Sequence, residues 1–282
     1  MNDTRLSVSV VVATLGRPEL GACLESLVVQ SHTPDEIIVV DNSGSSAAAQ
    51  PMMEGVRCIP CTKRGIAAAR NAGVRIATGD VIAFIDDDAR AHREWLAQVV
   101  AALERAPIAG LAGAVVESAE EESARPATVV ERSSPDWFWK TNFGGVGNGA
   151  NLAFRREHFL AVGGFDEKLG LGTDIPTSEE HNLFFRLVAA GESVAYVPEA
   201  VVYHPRADAR AQRRRHLQTQ RAAAAYVCYL WEHFPESRVE LKKLLRRGRT
   251  PLASRRRESV SPQWARWLYR GLGLADYLKA RV

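Results

Sequence analysis

The stretch ATGDVIAFIDDDA, residues 77–89, decides the fold. Gly79 and Asp80 make a turn, Val81 to Ile85 is a continuous apolar run of strand length, and three carboxylates follow with no spacer. Such a run reads as a buried strand. Asp86, Asp87 and Asp88 then stand at its carboxyl end, where open α/β sheets bind ligands.

Outward from this strand, Ser7–Ala13 (SVSVVVA) and Glu36–Asp41 (EIIVVD) are also strand-like. Between them Pro18–Gln30 carries Leu20, Cys23, Leu24, Leu27 and Val28 at helical spacing, which completes a β-α-β unit. A short strand at Val56–Ile59 leads into a helix at Ile66–Ala77, and a helix at Glu94–Arg105 and a strand at Leu111–Val116 follow the triplet. This alternation predicts an α/β fold, a mixed, mostly parallel sheet flanked by helices. From Ser118 to Asn142 the periodicity lapses into acidic, Ser- and Pro-containing sequence ending in Trp137, Phe138 and Trp139, which reads as a loop. Regularity returns at Gly149–Phe154, in a helix at Thr177–Ala190, and in short strands at Val194–Val197 and Val201–His204. Beyond Pro205 the chain becomes Arg- and Ala-rich, with helices expected at Ala207–His233, Arg238–Arg246 and Pro262–Lys279.

The net charge of +3 hides a division: residues 1–208 hold 18 Lys+Arg against 28 Asp+Glu, and residues 209–282 hold 18 against 5. The expected organisation is an α/β domain over 1–208 and a basic helical C-terminal extension over 209–282. The longest apolar stretches fall far short of the roughly 20 residues that span a bilayer, and the N-terminus lacks a basic-then-apolar leader, so a cytoplasmic protein is expected. Cys58 and Cys61 form a lone C-x-x-C with no second pair or nearby histidine, and the cysteines read as plain reduced thiols.

Three adjacent carboxylates repel one another, by about 1 kcal/mol per pair at 4 Å in water and nearer 4 at an effective dielectric of about 20. A cation relieves this. In extended chain Asp86 and Asp88 share a face and offer hard oxygen ligands suited to Mg²⁺ or Mn²⁺. A solvated acidic turn is the alternative, disfavoured by the placement after a buried strand.

The segments VVVATLGRPELGACLESLVVQ, EIIVVDNS, GIAAARNAG and ATGDVIAFIDDDA, in this order and spacing, resemble the family-2 glycosyltransferases over about Ser7 to His204. The resemblance implies the Rossmann-like GT-A fold, with residues 1–117 as the nucleotide-binding half and 118–208 as the acceptor half. It implies transfer of a sugar from a nucleotide diphosphate donor with inversion at the sugar carbon. Asp86 and Asp88 resemble the D-x-D motif that bridges a metal to the donor diphosphate, and His204 resembles a histidine that in some members completes that site. Thr14, Leu15 and Asp41 resemble residues that hold the nucleoside; Arg64, Arg70 and Asp87 are placed with the donor by the same likeness. Asp41 also fits a turn before Asn42-Ser43-Gly44, Arg64 and Arg70 also fit a helix surface, and a lone histidine is commonly structural.

A single displacement needs a base for the acceptor hydroxyl, and a carboxylate is the simplest. Thr177–Arg186 (TSEEHNLFFR) resembles the family's E-D-x-x-L-x-x-R signature, which puts Glu180 at the catalytic acid's position with Glu179 as its neighbour; Glu in place of Asp is a departure. The same T-S-E-E is a capping box with Thr177 as N-cap. In the Gly-rich acceptor-side segment Asn151 carries an amide that pairs with sugar hydroxyls or with local backbone, and Trp137 and Trp139 are stacking platforms for an acceptor sugar or loop anchors.

A dehydrogenase is disfavoured because G-x-G-x-x-G does not follow the first strand, where the chain reads ATLGRP. A sugar-phosphate nucleotidyltransferase lacks its Gly-rich, Lys-containing triphosphate loop. A non-catalytic nucleotide or nucleic-acid binding module leaves the acidic site idle, and the tail lacks interleaved aromatics through Arg210–Arg215, which disfavours nucleic acid as a partner. The acceptor is unnamed; by resemblance to relatives with lipid-linked or glycan acceptors, the tail is expected to make peripheral contact with the inner membrane surface, to dock on the acidic domain or to form a dimer contact.

Overall fold

Val8–Thr14 (β1) lies between Glu36–Asp41 (β2) and Val81–Asp86 (β4), parallel to both, and Val56–Pro60 (β3) extends the sheet beyond β2. The computed structural model describes residues 5–44, 53–117, 125–205 and 209–246. On its other side β4 pairs antiparallel with Asn151–Arg155 (β8), which pairs antiparallel with Gly110–Val116 (β6). The order is β3-β2-β1-β4-β8-β6-β9-β5, where β9 is Val194–Tyr203 and β5 is the two-residue Arg90–Ala91; Thr128–Val130 (β7) pairs with β9 off this path. The sheet is mixed: β3, β2, β1 and β4 are all parallel, and β8 runs antiparallel to both its neighbours.

The helices Leu20–Val28 (α1), Ile66–Ile76 (α2) and Trp95–Arg105 (α3) form where the apolar spacing predicts them. Leu20, Cys23, Leu24 and Leu27 of α1 and Trp95, Leu96, Val99, Val100 and Leu103 of α3 pack in one core with Val8, Val10, Val12, Val81, Ala83 and Ile85. Completely burying such side chains stabilises by about 1.5–3 kcal/mol each, and this core holds the end of β4 in place. The short helix Arg156–Ala161 (α5) has no counterpart in the sequence-based expectation. Its Phe159 joins Phe84, Phe154 and Phe165 in an aromatic cluster with ring centroids 5.2–6.3 Å apart.

Three sequence expectations are corrected. The segment expected as one loop from Ser118 to Asn142 contains β7 and the helix Trp137–Asn142 (α4), held by tertiary contacts that periodicity does not record. The two strands expected at Val194–Val197 and Val201–His204 are a single strand: Gly113 pairs with Val197 and Ala114 with Val201, so residues 198–200, beginning with Pro198, bulge out. Finally, the helix Glu179–Ala189 (α6) starts at Glu179, which puts Glu180 second in the helix and not third, as a capping box from Thr177 requires.

The chain divides into two compact units, residues 1–167 with 179–205, and residues 168–178 with 206–282. In the second unit Ala209–His233 (α7) and Ser237–Arg246 (α8) are joined by a bond from Ser237 Oγ to the Leu230 carbonyl at 2.9 Å. Tyr226, Leu230 and Leu241 are buried, and Trp231, 40% exposed, carries the Arg238 and Lys242 cations over its ring. Among the described residues no helix is long and apolar enough to cross a membrane. The side chains of residues 209–220, which include Arg210 and Arg213 to Arg215, and the helix expected at Pro262–Lys279 lie outside the described part.

Candidate active site

The end of β4 delivers the acidic triplet, and β1 beside it supplies Thr14, whose Oγ1 donates to Asp87 Oδ2 at 2.7 Å. The same Thr14 oxygen accepts the Gly16 N–H at 2.9 Å, which fixes the turn leaving β1. Asp87 is buried, and burial pushes its carboxyl up, against the Thr14 hydrogen bond and the Arg17 charge. Asp88 behaves in the opposite way: a hydrogen bond with His204 holds it below the ordinary carboxylate range and raises the histidine in turn.

His204 reaches Asp88 because β9 runs parallel to β6 and the His204 N–H donates to the Val116 carbonyl at 2.8 Å. The two-residue β5 pairs Arg90 with Tyr203, tying the chain after the triplet to the same strand. His204 Nε2 lies 3.1 Å from Asp88 Oδ1. One ligand atom each from Asp86, Asp88 and His204 falls within 4.8 Å of the other two. Two carboxylate oxygens and an imidazole suit Mn²⁺ or Mg²⁺ and leave coordination positions for phosphate oxygens, so the residues fit the metal that the D-x-D resemblance implies. An open cleft of about 590 Å³ has Asp88 and His204 in its wall together with Arg90, Glu117 and Tyr203.

Arg70 of α2 joins this metal group to a second pair of carboxylates. Its guanidinium, 3% exposed, donates to Asp86 Oδ1 at 2.9 Å, to the Gly149 carbonyl at 2.7 Å and to Glu179 Oε1 at 3.1 Å. It also lies 5.6 Å from the centroid of the Phe165 ring. Glu179 and Glu180 open α6, whose Leu183, Phe184, Leu187 and Val188 are all buried, so packing fixes where the two carboxylates stand. Burial pushes both up, Glu179 to about 7 with the Glu180 charge adding to the rise and Arg70 opposing it. Backbone hydrogen bonds at Glu180 and His181 pull Glu180 the other way, as expected at a helix N-terminus. His181 is pushed down to about 4 by burial and stands neutral beside Glu180, with Nε2 3.7 Å from its Oε1.

The donor-side expectations divide. Leu15 is exposed at 63% on the turn after β1, and Asp41, half-buried at the end of β2, accepts the Ser43 N–H at 2.8 Å in a local turn while staying near the surface. Arg64 is exposed. Arg70 is committed to internal partners, Asp86 among them.

On the acceptor side two assignments change. Asn151 is fully buried: its Oδ1 accepts the Trp95 indole N–H at 2.8 Å, and its amide donates to the carbonyls of Ala114 and Ala200 at 2.7 and 2.8 Å. It closes the β9 bulge, next to Gly113, where a Cβ would sit 2.1 Å from the Ala200 carbonyl oxygen, and no sugar hydroxyl can reach it. Trp137 stacks on Phe185 at 5.9 Å and 13°, and the Arg132 guanidinium lies 3.9 Å from its ring centroid, so it anchors α4 to α6 and offers no platform. Trp139 is half-buried.

Two site residues carried no sequence signal. Arg17, three residues past Thr14, pairs with Asp88 and lies 3.7 Å from Asp87. Asn42 donates to the carbonyls of Cys61 and Lys63 at 2.8 and 2.7 Å and accepts the Gly65 N–H at 3.1 Å, which ties the end of β2 to the start of α2.

Residues 9–162 match the model of the family described as Glycosyl transferase family 2. The chain is 30% identical over 222 residues to the glucosyl-dolichyl phosphate glucuronosyltransferase of Haloferax volcanii, covering 71% of this chain and 69% of that protein. It is 28% identical over 217 residues to the succinoglycan biosynthesis protein ExoM of Rhizobium meliloti, covering 73% and 69%. Among solved structures, the mannosyltransferase PcManGT from Pyrobaculum calidifontis, in complex with GDP-Man and Mn²⁺, aligns at a TM-score of 0.60 and 18% identity over 99% of this chain and 76% of that one. GalNAc-T7 with UDP, GalNAc and Mn²⁺ aligns at 0.56 and 17% over 87% and 55%. At these identities the likeness is one of fold, and the fold is GT-A.

Proposed function

The chain belongs to glycosyltransferase family 2 and is an enzyme that transfers a sugar; from that premise we propose that it works by metal-dependent single displacement, with inversion, from a nucleotide diphosphate sugar to an acceptor hydroxyl. The observation that carries this reading is the Arg70 bridge, which links Asp86 of the metal group to Glu179 beside the proposed base. A divalent cation held by Asp86, Asp88 and His204 would neutralise charge on the leaving diphosphate.

The remaining steps belong to the chain itself. Thr14, Leu15 and Asp41 border the nucleoside, with Asp87 fixed by Thr14, and the exposed Arg64 is free of the core to meet the donor. Glu180 takes the proton of the acceptor hydroxyl while the hydroxyl oxygen bonds to the anomeric carbon and the bond to the diphosphate breaks. Burial keeps Glu180 basic enough for the task, and the helix N-terminus keeps it ionised. Glu179 is held by Arg70 and serves as the neighbouring charge, and Trp139 stays as the acceptor-side aromatic.

A lipid-linked acceptor is supported by the name of the haloarchaeal relative and by the basic character of residues 209–282, which suits peripheral contact with anionic lipid. A panel of nucleotide sugars incubated with Mn²⁺ tests the central reading. Release of a nucleoside diphosphate and a product of opposite anomeric configuration by NMR is expected; release of a nucleoside monophosphate with sugar 1-phosphate, or retention of configuration, would overturn it.

A further inference from the structure

Two arginines touch the acidic triplet, and they are held in contrasting ways. Arg70 is 3% exposed, makes three hydrogen bonds and lies against Phe165. Arg17 is 47% exposed and follows Gly16, whose φ of 82° sets a tight turn in open space. Among the described residues its guanidinium meets carboxylates: it pairs with Asp88, and its Nε is 3.7 Å from Asp87 Oδ1. Asp88 is also a member of the group that can hold a metal. A divalent cation on that carboxylate would repel the Arg17 guanidinium. Arg70 bears the same relation to Asp86, but it is buried and held by two further partners, whereas Arg17 is half-exposed and can move away.

We infer that Arg17 is an exchangeable counter-ion of the donor site: it neutralises Asp87 and Asp88 in the metal-free protein and passes to the donor diphosphate when a divalent cation takes Asp88. This rests on the metal-dependent reading above. The planar guanidinium fork suits phosphate oxygens as well as it suits carboxylate, so the exchange trades one charge-assisted partner for another. Because Arg17 opposes the metal and favours the diphosphate, metal and nucleotide bind cooperatively, and by linkage each strengthens the other to the same degree.

Calorimetry on the full chain tests this without reference to turnover. Mn²⁺ is titrated with no nucleotide present into wild type, Arg17→Ala and Arg90→Ala. Arg90 is exposed in the wall of the cleft that contains Asp88, so its removal reports the loss of a nearby charge without the loss of that pair. Since the Arg17 pair is half in water, Arg17→Ala should tighten Mn²⁺ binding by about three- to tenfold, and Arg90→Ala by less than about twofold. UDP and GDP, each titrated in saturating Mn²⁺, should bind Arg17→Ala about tenfold more weakly than wild type. Mn²⁺ binding to Arg17→Ala no tighter than to Arg90→Ala, or undiminished nucleotide binding, overturns the exchange. Asp88→Asn separates the two readings: if it leaves wild-type Mn²⁺ affinity unchanged, the metal site itself is wrong and the exchange falls with it.

Discussion

The acidic triplet and Glu179–Glu180 both stand at the ends of regular elements, yet their surroundings drive Asp88 and the two glutamates in opposite directions. The side chains of Asp86 and Asp88 keep 29% and 15% of their exposure, and His204 holds Asp88 below the ordinary carboxylate range. Those of Glu179 and Glu180 keep 9% and 10%, and burial pushes both upward. A carboxylate that coordinates a cation must stay ionised at every working pH, whereas one that accepts a proton in the transition state works best when its proton affinity has been raised. The same functional group is thus tuned for two tasks by basic partners on one side and dry packing on the other, with the buried Arg70 touching both.

The hardest blow to this contrast is Asp88→Asn, which removes a proposed cation ligand. Transfer should fall by at least about 10³-fold, and dependence on Mn²⁺ should be lost with it, as metal titration of the initial rate will show. Glu180→Gln strikes the other side: turnover should drop by roughly 10²- to 10⁴-fold while nucleotide binding persists, and near wild-type turnover would leave Glu180 with only a structural place. Arg70→Met removes the link and leaves Glu179 with no cation, so the folded state should lose about 3–5 kcal/mol, measured by urea denaturation.

Glu179→Gln probes the tuning more gently. A carboxyl raised from 4.5 to about 7 keeps its proton in the folded chain after the unfolded chain has lost it, so wild-type stability should decline as pH rises across that interval. The variant should flatten the decline, and a thermal melt series from pH 4.5 to 7.5 that shows the same slope in both proteins would contradict the assignment. The smallest effect concerns the basic helices: co-sedimentation with anionic vesicles should weaken as salt rises and disappear on truncation after Asp208, and absence of sedimentation at low salt would count against a membrane-bound acceptor.

The first carboxylate group was legible in the sequence because everything that places it is local. VIAFI is a buried strand by its own composition, and Asp86–Asp88 follow it directly. The second was legible only through family resemblance, since Arg70 meets Glu179 across 109 residues and no spacing rule connects them. Residue type misled where burial decides the role. An amide in a Gly-rich segment and an indole at a loop end suit a sugar site, yet Asn151 and the Trp137 ring are consumed by the sheet and by α6. Arg17 was missed because an arginine in a turn carries no local mark of what it faces.

The Asn151 contacts make position 151 sensitive to the identity of single atoms more than to side-chain size. One end of the amide must accept from Trp95 Nε1, and the other must donate to the carbonyls of Ala114 and Ala200 at the register shift. Aspartate has nearly the same shape, but its second oxygen would face both carbonyls with no proton to offer, and glutamine would carry the amide about one bond too far. Exchange of one NH₂ for one oxygen there would loosen β9 upstream of His204, so a change at the metal group can begin in the sheet, at a residue that touches no ligand.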